Sequence, residues 1–455
     1  MFHRILVANR GEIAVRIIRA CRELNIETVA VYSDADRHSL HVQMATEAVC
    51  IGSALPKNSY LNIGNILSAA LLKGCDAIHP GYGFLSENSE FARMTEESGL
   101  VFIGPSHEII SKMGDKQTAR ETMIKNKVPV IPGSKELIHT LDDALKEAEE
   151  IGYPVIIKAS AGGGGKGMRK IYRREAMEKE FFSAKKEALS AFGDDSIYME
   201  KLIEEAKHIE VQILADKRGN VIHLGERDCS LQRKNQKMIE EAPCRLLTPE
   251  LREKMGEAAL NAARAVNYTS AGTIEFLLTE DNEFYFMEMN TRVQVEHPVT
   301  EMVTGVDIVK EQIRIAFGLP LSFTQEDVRI EGFSMECRIN AENPSNNFMP
   351  SCGKVNIVNL PGGNGVRVDS FLYQDYEISP YYDSMLAKLI VHGRTRQEVL
   401  RKMRRALEEF MIRGVSTNIG LLYLLTYEKR VIKGDYKTSF LEQNLDKLIE
   451  FAEGI

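Results

Sequence analysis

The sequence predicts a mixed α/β and α+β protein whose N-terminal domain is doubly wound. Over residues 1–103, apolar strand patterns alternate with helix patterns, as in a parallel sheet with right-handed crossovers. From residue 208 onward strand patterns dominate, which predicts an antiparallel-sheet core. Between these regions, a run of glycines at 161–168 separates two strand patterns. We therefore expect a parallel first domain, a small α+β unit with a glycine-rich tip, an antiparallel sheet and a further C-terminal segment.

The first domain alternates strands and helices in chain order. Strands are predicted at 4–9, 27–33, 75–79 and 100–103, and helices at 11–24, 60–72 and 88–98. Only one glycine, Gly11, lies in the first β–α turn, whereas a dinucleotide site uses a G-x-G-x-x-G turn. The missing fingerprint argues against an NAD-dependent oxidoreductase.

The middle of the chain combines the α+β unit, about 130–203, with the antiparallel sheet. Helices are predicted at 106–126, 142–151, 174–191, 249–266 and 306–317. Strands are predicted at 153–160, 168–172, 208–216, 220–228, 271–278 and 283–290.

The last segment, about 331–445, begins with short strands and ends with a long helix. This helix should start after Thr395, because Thr395 and Glu398 have the spacing of a capping box. Gly414 is expected to end it. Its apolar face is formed by Val399, Met403, Ala406 and Phe410.

Composition excludes several classes of protein. The chain has 455 residues, a net charge of −8 and 44% hydrophobic residues, which disfavours disordered, collagen-like and DNA-coating proteins. Seven scattered cysteines without a CxxC pair predict reduced thiols and no zinc site. No run approaches the ~18 apolar residues of a membrane span, and the N-terminal apolar stretch is too short for a signal peptide. We expect a cytoplasmic protein that binds neither nucleic acid nor a membrane.

The glycine run predicts a flexible hairpin that closes over phosphates. Gly162, Gly164 and Gly167 match G-x-G-x-x-G, but a strand pattern follows instead of the helix that a Rossmann turn requires. Lys166 precedes a glycine instead of Ser or Thr, which argues against a Walker A loop. Consecutive glycines let backbone N–H groups approach an anion; a plain surface turn is the alternative. Lys158, in the preceding strand, would either pair with a phosphate or extend its charge into solvent.

A predicted hairpin carries two carboxylates in apolar strands. If Asp281 and Asn282 form a two-residue turn, Glu280 faces Glu283, and Glu275 faces Glu288. Like charges in this position require a cation. Asn290 follows on the same face, and these oxygens suit Mg²⁺. A loop one residue longer would place the glutamates on a diagonal, from which they could still share one ion.

The segment 290–298 alternates polar and apolar residues. If it is extended, one face carries Asn290, Arg292, Gln294 and Glu296. A cation, an amide and a carboxylate beside a metal ligand predict a site for a small oxyanion. A solvated strand face is the alternative.

Seven parts of the sequence carry a resemblance to one known family: 8–14, 79–88, Lys158 with the glycine run, 226–230, 288–298, 336–342 and 380–384. Over essentially its whole length, the sequence resembles biotin carboxylases, which are ATP-grasp ligases. The run 292–301 separates it from other ATP-grasp enzymes such as carbamoyl phosphate synthetase. The resemblance implies a Rossmann-like pre-ATP-grasp domain at 1–114, an ATP-grasp domain at 115–330 with a mobile lid at about 130–203, and a C-terminal domain at 331–446.

The resemblance also implies a role for individual residues. Glu296 would remove the proton of bicarbonate, and Arg338 would stabilise the biotin enolate. The residues implied for ATP are Lys116, Lys158, Gly162, Gly163, Gly164, Gly165, Glu200, Lys201, Ile203, His208, Gln232, Glu275 and Glu288. Those implied for Mg²⁺ (or Mn²⁺) are Glu275, Glu288 and Asn290. Those implied for bicarbonate are Lys237, Arg292, Gln294 and the backbone of Val295, and those implied for biotin are Tyr82, Gly83, Arg338 and Asp383.

The implied activity is ATP-dependent carboxylation of biotin on another polypeptide. The nearest string to the Ala-Met-Lys-Met attachment site, at 175–179, lacks the lysine after methionine, and the chain ends at Ile455. A biotin carboxyl carrier protein and carboxyltransferase subunits are thus the expected partners, and a homodimer is implied. The favoured assembly is an acetyl-CoA carboxylase of fatty acid biosynthesis, and a pyruvate or propionyl-CoA carboxylase built from separate subunits is the alternative.

Two further observations refine this interpretation. A non-catalytic nucleotide-binding subunit is disfavoured because Lys237, Arg292, Glu296 and Arg338 are all present. Asn235 stands where the family often has a histidine that contacts nucleotide, which puts that one contact in question.

Overall fold

The computed structural model describes residues 1–134, 136–160 and 167–453. The predicted phosphate-binding glycines, Gly162 to Gly165, lie outside the described residues. Within the described ranges, no helix is both long and apolar enough to cross a bilayer.

The N-terminal part is a parallel five-stranded sheet of order β3-β2-β1-β4-β5, as the alternating pattern predicted. The sequence did not indicate β3 or α2, because β3 is a largely half-exposed edge strand without a regular apolar pattern. The elements are β1 (Arg4–Val7), α1 (Gly11–Glu23), β2 (Glu27–Ser33), α2 (Leu40–Met44), β3 (Glu47–Gly52), α3 (Ile63–Leu72), β4 (Ala77–His79), α4 (Ser89–Glu97) and β5 (Val101–Phe102).

A small α+β unit follows two connecting helices. Its antiparallel sheet has the order β7-β6-β8, and the helices pack on the sheet through a separate apolar core. Residues 168–171 form a strand, which confirms the argument against a Rossmann turn. The elements are α5 (His107–Gly114), α6 (Lys116–Lys125), α7 (Leu141–Ile151), β6 (Val155–Ala159), β7 (Met168–Ile171), α8 (Met177–Phe192) and β8 (Ile197–Lys201).

The large sheet has eight strands in the order β13-β12-β9-β10-β11-β14-β21-β19, and every neighbouring pair is antiparallel. It continues across the predicted domain boundary at 330, because β11 pairs with β14. Its first elements are β9 (Lys207–Ala215), β10 (Val221–Arg233), β11 (Gln236–Ala242), α9 (Pro249–Arg264), β12 (Ser270–Leu278), β13 (Phe284–Asn290), α10 (His297–Thr304) and α11 (Ile308–Ala316).

The C-terminal elements complete this sheet and cover it with helices. They are β14 (Phe333–Asn340), β15 (Glu342–Asn343), β16 (Met349–Pro350), β17 (Gly353–Lys354), β18 (Ile357–Asn359), β19 (Val366–Ser370), β20 (Glu377–Ile378), β21 (Met385–Gly393), α12 (Arg396–Glu409), β22 (Met411–Arg413), α13 (Ile419–Leu425), α14 (Lys429–Lys433) and α15 (Phe440–Glu453).

Two predictions about α12 need correction. Thr395 Oγ1 accepts the N–H of Glu398 as expected, but the Glu398 carboxylate accepts the N–H of Arg394 at 3.0 Å, so only half of a capping box forms. Gly414 does not end the helix, which stops at Glu409 before β22. Its φ is +109°, and a Cβ there would lie 2.0 Å from the carbonyl oxygen of Lys354. Close backbone approach therefore requires this glycine.

Candidate active site

Three carboxylates lie directly opposite one another across three strands of the large sheet. Glu275 of β12 pairs with Glu288 of β13, as predicted, and with Glu210 of β9. Glu210 was not predicted as a site residue. Glu210 and Glu275 are buried, which disfavours this row of like charges, so cations are needed beside it.

The β12–β13 hairpin places Glu275 opposite Glu288 through a longer loop and a bulge, instead of the predicted two-residue turn. Leu278 pairs with Phe284, and the Thr279 N–H donates to the Glu283 carbonyl at 2.8 Å, so the predicted Glu280–Glu283 pair is wrong. Met287 is an extra residue between the Phe276–Phe286 pair and the Glu275–Glu288 pair. This bulge restores the facing glutamates that the longer loop alone would have displaced.

Lys237 of β11 supplies the central positive charge. Its ammonium donates to Glu296 at 2.6 Å, Glu210 at 2.7 Å and Glu275 at 3.0 Å. Burial opposes this charge, but the three carboxylates outweigh it and raise the pKa of Lys237 well above its usual range. The lysine thus neutralises part of the carboxylate row.

Glu296 is completely buried and held by two cations. Lys237 binds one carboxylate oxygen, and Arg338 Nη2 of β14 donates to the other at 2.9 Å. Burial alone would raise its pKa, but these cations lower the pKa of Glu296 well below its usual range. The carboxylate is therefore ionised and becomes more basic when an anion competes for Lys237 or Arg338.

Residues 291–296 form a loop and α10 begins at His297, so the condition that 290–298 be extended is not met. Arg292 nevertheless joins the expected residues, because its guanidinium donates to Gln294 Oε1 at 2.8 Å, Asn290 Oδ1 at 3.0 Å and Glu87 Oε2 at 2.7 Å. Gln294 Nε2 also donates to Glu275 at 3.2 Å. Side-chain contacts thus bring Asn290, Arg292 and Gln294 together, and Glu275 and Lys237 link Gln294 to Glu296.

Arg338 faces a second carboxylate pair. Its Nε donates to Glu240 at 2.6 Å, and Glu240 of β11 pairs directly with Glu336 of β14. Burial raises the pKa of Glu240 to about 7 and that of Glu336 well above its usual range. Arg338 therefore lies between one ionised carboxylate, Glu296, and two that burial pushes towards the neutral form.

Several residues implied for nucleotide lie on or beside β6 and β8. The Lys158 ammonium of β6 contacts the Glu200 carboxylate of β8, so its charge is paired within the protein instead of extending into solvent. Lys201 donates to the carbonyls of Gly152 and Tyr153, both at 2.9 Å. Ile203 is half-buried in the loop after β8.

Three further nucleotide-side residues lie near the carboxylate row. His208 Nε2 is 3.1 Å from Glu275, and this charge raises the pKa of the histidine against the effect of burial. Burial lowers the pKa of Lys116 at the start of α6, although Glu288 opposes that change. Gln232 is buried on β10.

The residues implied for biotin lie where the N-terminal and C-terminal parts meet. The Tyr82 hydroxyl donates to Glu12 of α1. Asp383 is exposed and accepts the N–H of Met385 at 3.0 Å, and Gly83 has a φ of +68°. The neighbouring Tyr382 hydroxyl donates to the Ala54 carbonyl at 2.7 Å, which ties this loop to the first domain.

The predicted metal ligands fit a hard divalent cation. The charge of Glu275, followed by burial, raises the pKa of Glu288, so this pair carries negative charge that is not fully neutralised. Asn290 Oδ1, the atom that would bind the cation, accepts Arg292 Nη2 at 3.0 Å and retains a second lone pair. His208, Glu210 and Glu275 also lie within 4.8 Å of one another, but the Lys237 ammonium already binds two of the three.

Three family models match successive parts of the chain. Residues 1–110 match the biotin carboxylase N-terminal domain, 115–324 the ATP-binding domain of the carbamoyl-phosphate synthase L chain, and 336–443 the biotin carboxylase C-terminal domain. "Biotin carboxylase 1" of Bacillus subtilis is 57% identical over 443 residues, which cover 97% of this chain and 98% of the relative. The chain belongs to the biotin carboxylase family. This confirms the resemblance and the mixed α/β fold that the sequence predicted.

Solved structures of biotin carboxylases have the same fold. The biotin carboxylase domain dimer of Hydrogenobacter thermophilus 2-oxoglutarate carboxylase, in complex with MgADP, ADP and bicarbonate, is 52% identical with a TM-score of 0.94, over 98% of this chain and 99% of that chain. The Campylobacter jejuni biotin carboxylase in a β,γ-ATP complex is 46% identical with a TM-score of 0.95, over 97% and 99% of the chains.

Sequence reasoning missed several charged residues of this biotin carboxylase site. Glu210 could have been found, because His208, Glu210 and Gln212 alternate with the apolar Ile209, Val211 and Ile213 within a predicted strand. Glu240 has no such signal, since β11 was not predicted as a strand. Glu87 and Glu336 lie inside the recognised motifs but were given no role.

Proposed function

We propose that this chain carboxylates biotin with bicarbonate and uses MgATP to activate the bicarbonate. The observation that carries the proposal is the position of Glu296, a buried carboxylate held between Lys237 and Arg338. Lys237, on one side of this base, can bind the bicarbonate anion. Arg338, on the other side, can stabilise a developing enolate. The family membership supports the same activity.

The first step forms carboxyphosphate. Lys237, Arg292, Gln294 and the Val295 backbone would bind bicarbonate, and Glu296 would take its proton. The bicarbonate oxygen then attacks the γ-phosphorus of ATP, and the bond to ADP breaks. Glu275, Glu288 and Asn290 would hold Mg²⁺, which supplies charge neutralisation on the phosphates when bound.

The second step transfers the carboxyl group. Carboxyphosphate breaks down to CO₂ and phosphate, and the phosphate takes the proton of the ureido nitrogen of biotin. Arg338 would stabilise the enolate, whose nitrogen attacks CO₂. Tyr82, Gly83 and Asp383 would lie beside biotin. Lid residues would exclude water, which otherwise hydrolyses carboxyphosphate.

The deciding experiment measures bicarbonate-dependent ADP release with and without free biotin. The proposal expects release that needs Mg²⁺ and bicarbonate and that biotin stimulates. An enzyme that binds MgATP but shows no stimulation by biotin would contradict it.

We further propose that biotin is supplied by a separate carrier protein, with carboxyltransferase subunits as partners and a homodimer as the assembly. Mass spectrometry of the purified chain should then show no covalent biotin.

The seven cysteines are all free thiols, which supports a reducing, cytoplasmic location. The proposed domain bounds, 1–114, 115–330 and 331–446, are supported by the three family matches.

The acceptor is proposed to be acetyl-CoA, in fatty acid biosynthesis. A second candidate is a keto acid, because one subunit of the pyruvate carboxylase of Methanothermobacter thermautotrophicus is 53% identical, over 97% of this chain and 90% of the relative. Copurification of the chain with its native carboxyltransferase, followed by assays with acetyl-CoA, propionyl-CoA and pyruvate, distinguishes these acceptors.

A further inference from the structure

In the loop that carries Glu296, side chains donate hydrogen bonds to three consecutive backbone carbonyl groups. Arg292 Nη1 donates to the Val293 carbonyl at 3.3 Å, and His297 Nδ1 donates to the Gln294 carbonyl at 2.8 Å. The third contact comes from a distant strand: Lys388 Nζ of β21 donates to the Val295 carbonyl at 2.8 Å. A loop without regular backbone pairing depends on such contacts for its geometry.

Lys388 is an unusual residue to find in this place. Its side chain is 0% exposed, and it lies directly opposite Arg338 on β14 and Asp369 on β19. A buried ammonium is unfavourable unless it is paired and hydrogen-bonded. The Val295 carbonyl alone would not provide that pairing.

Glu12 is the counter-ion of Lys388. Its carboxylate lies 3.1 Å from Lys388 Nζ and its side chain is 1% exposed. Asp369 is more distant, at 4.0 Å, and it already receives two hydrogen bonds from Arg367, at 2.9 and 2.8 Å. Glu12 also accepts the Tyr82 hydroxyl, so the pair reaches the proposed biotin side of the site.

We propose that Lys388, neutralised by Glu12, is a positioning residue that sets the orientation of the Val295–Glu296 peptide for bicarbonate binding. Because a peptide unit is planar, the direction of the Val295 carbonyl also fixes the direction of the Glu296 N–H and the position of the Glu296 Cα, from which its side chain extends. The inference rests on the proposed function. It adds a residue that touches neither substrate but determines the geometry of those that do.

The test replaces Lys388 without leaving a buried charge. The Glu12→Gln/Lys388→Met double variant removes both charges, and Lys388→Arg retains a cation. The double variant should raise the KM for bicarbonate on the order of tenfold to a hundredfold, as displaced binding groups do. The KM for ATP should change less than about twofold, because the nucleotide contacts lie elsewhere. Lys388→Arg should lie between the double variant and the wild type.

The control is Lys217→Met, because Lys217 also donates to a backbone carbonyl, that of Ala316 at 3.0 Å, but outside the proposed site. It should leave both KM values unchanged. Equal rises in the KM values for ATP and bicarbonate, an unchanged KM for bicarbonate, or failure of both Lys388 variants to fold would overturn the inference. Wild-type protein without bicarbonate-dependent ADP release would instead contradict the proposed function.

Discussion

Glu296 is the residue on which the proposed chemistry depends most directly. Glu296→Gln keeps the shape of the side chain but cannot take a proton, so we expect biotin carboxylation to fall by about 10²–10⁴-fold. ATP binding should remain normal, because Glu296 forms ion pairs with Lys237 and Arg338 and with none of the residues implied for ATP. Equilibrium nucleotide binding and ADP release measure the two effects separately. Wild-type turnover in the variant would remove Glu296 as the base.

The backbone conformation at position 235 favours an asparagine, in addition to the nucleotide contact considered for its side chain. Lys234 and Asn235 have φ values of +48° and +64° and connect β10 to β11. Such a turn needs positive φ at both positions, which asparagine tolerates better than most residues. Nothing in the sequence pattern indicated this turn, because β11 was not predicted.

Asn235→Ala and Asn235→Gly separate these two roles. The alanine variant should lose about 1 kcal/mol of stability, because it must adopt positive φ with a Cβ and without a side-chain hydrogen bond. The glycine variant should keep this stability, and both should raise the KM for ATP only modestly. Urea unfolding and steady-state kinetics test the pair. A severe loss of kcat with an unchanged KM for ATP in Asn235→Ala would show that Asn235 does more than contact nucleotide.

At the level of elements, most strands and helices follow from the apolar periodicity of the sequence. The strand at 27–33 is observed within the predicted bounds, and α1 differs from its prediction by one residue at its end. The β12–β13 hairpin was harder, because a two-residue turn and a longer loop with a bulge place Glu275 opposite Glu288 equally well. Only a three-dimensional register distinguishes them. The sequence could predict that Glu275 and Glu288 face each other but not the position of Met287.

Single-residue changes in this hairpin test the importance of its register. Insertion of a glycine after Met287 should move Glu288 by one position along β13 and turn its side chain to the other face, because side chains alternate along a strand. We expect Mg²⁺-dependent ADP release to be lost. Deletion of Asp281 shortens only the exposed loop and should retain activity. Equal activity of the two variants would show that the register is not required.

For the whole molecule, buried histidines predict sensitivity to acid. Burial lowers the pKa of His41 to about 4 and that of His79 to about 3. In the unfolded chain each histidine takes up a proton below about pH 6.5, whereas in the folded protein each stays neutral to a lower pH. Their contribution to stability is therefore complete above about pH 6.5. It is lost as the pH falls, on the order of 2–3 kcal/mol each at pH 4.5.

Urea unfolding midpoints at pH 7.5 and 4.5 measure this loss. The wild type should lose more stability between these pH values than His79→Gln, in which the titrating group is absent. His38→Gln, at an exposed position, is the matched control and should behave as the wild type. Identical pH dependence of all three proteins would contradict the assignment.

Across the whole molecule, sequence reasoning located the parts of the site better than their arrangement. Arg292, Gln294 and Glu296 were predicted to share one face of a strand, but a loop brings them together through contacts with Asn290, Glu275 and Lys237. Charges contributed by distant strands, such as Glu240 and Lys388, were not predictable. Their importance comes from pairing across the sheet, which a local pattern does not contain.

The continuous eight-stranded sheet has a consequence for how this chain can be divided. A cut near residue 330 would separate β11 from β14 and leave two unpaired strand edges, each with exposed N–H and C=O groups. Glu240 would part from Glu336, and Lys237 from Arg338, so neither fragment would contain a complete site. The ATP-grasp and C-terminal segments should therefore be inherited, expressed and degraded as one cooperative unit, although three separate family models recognise the chain.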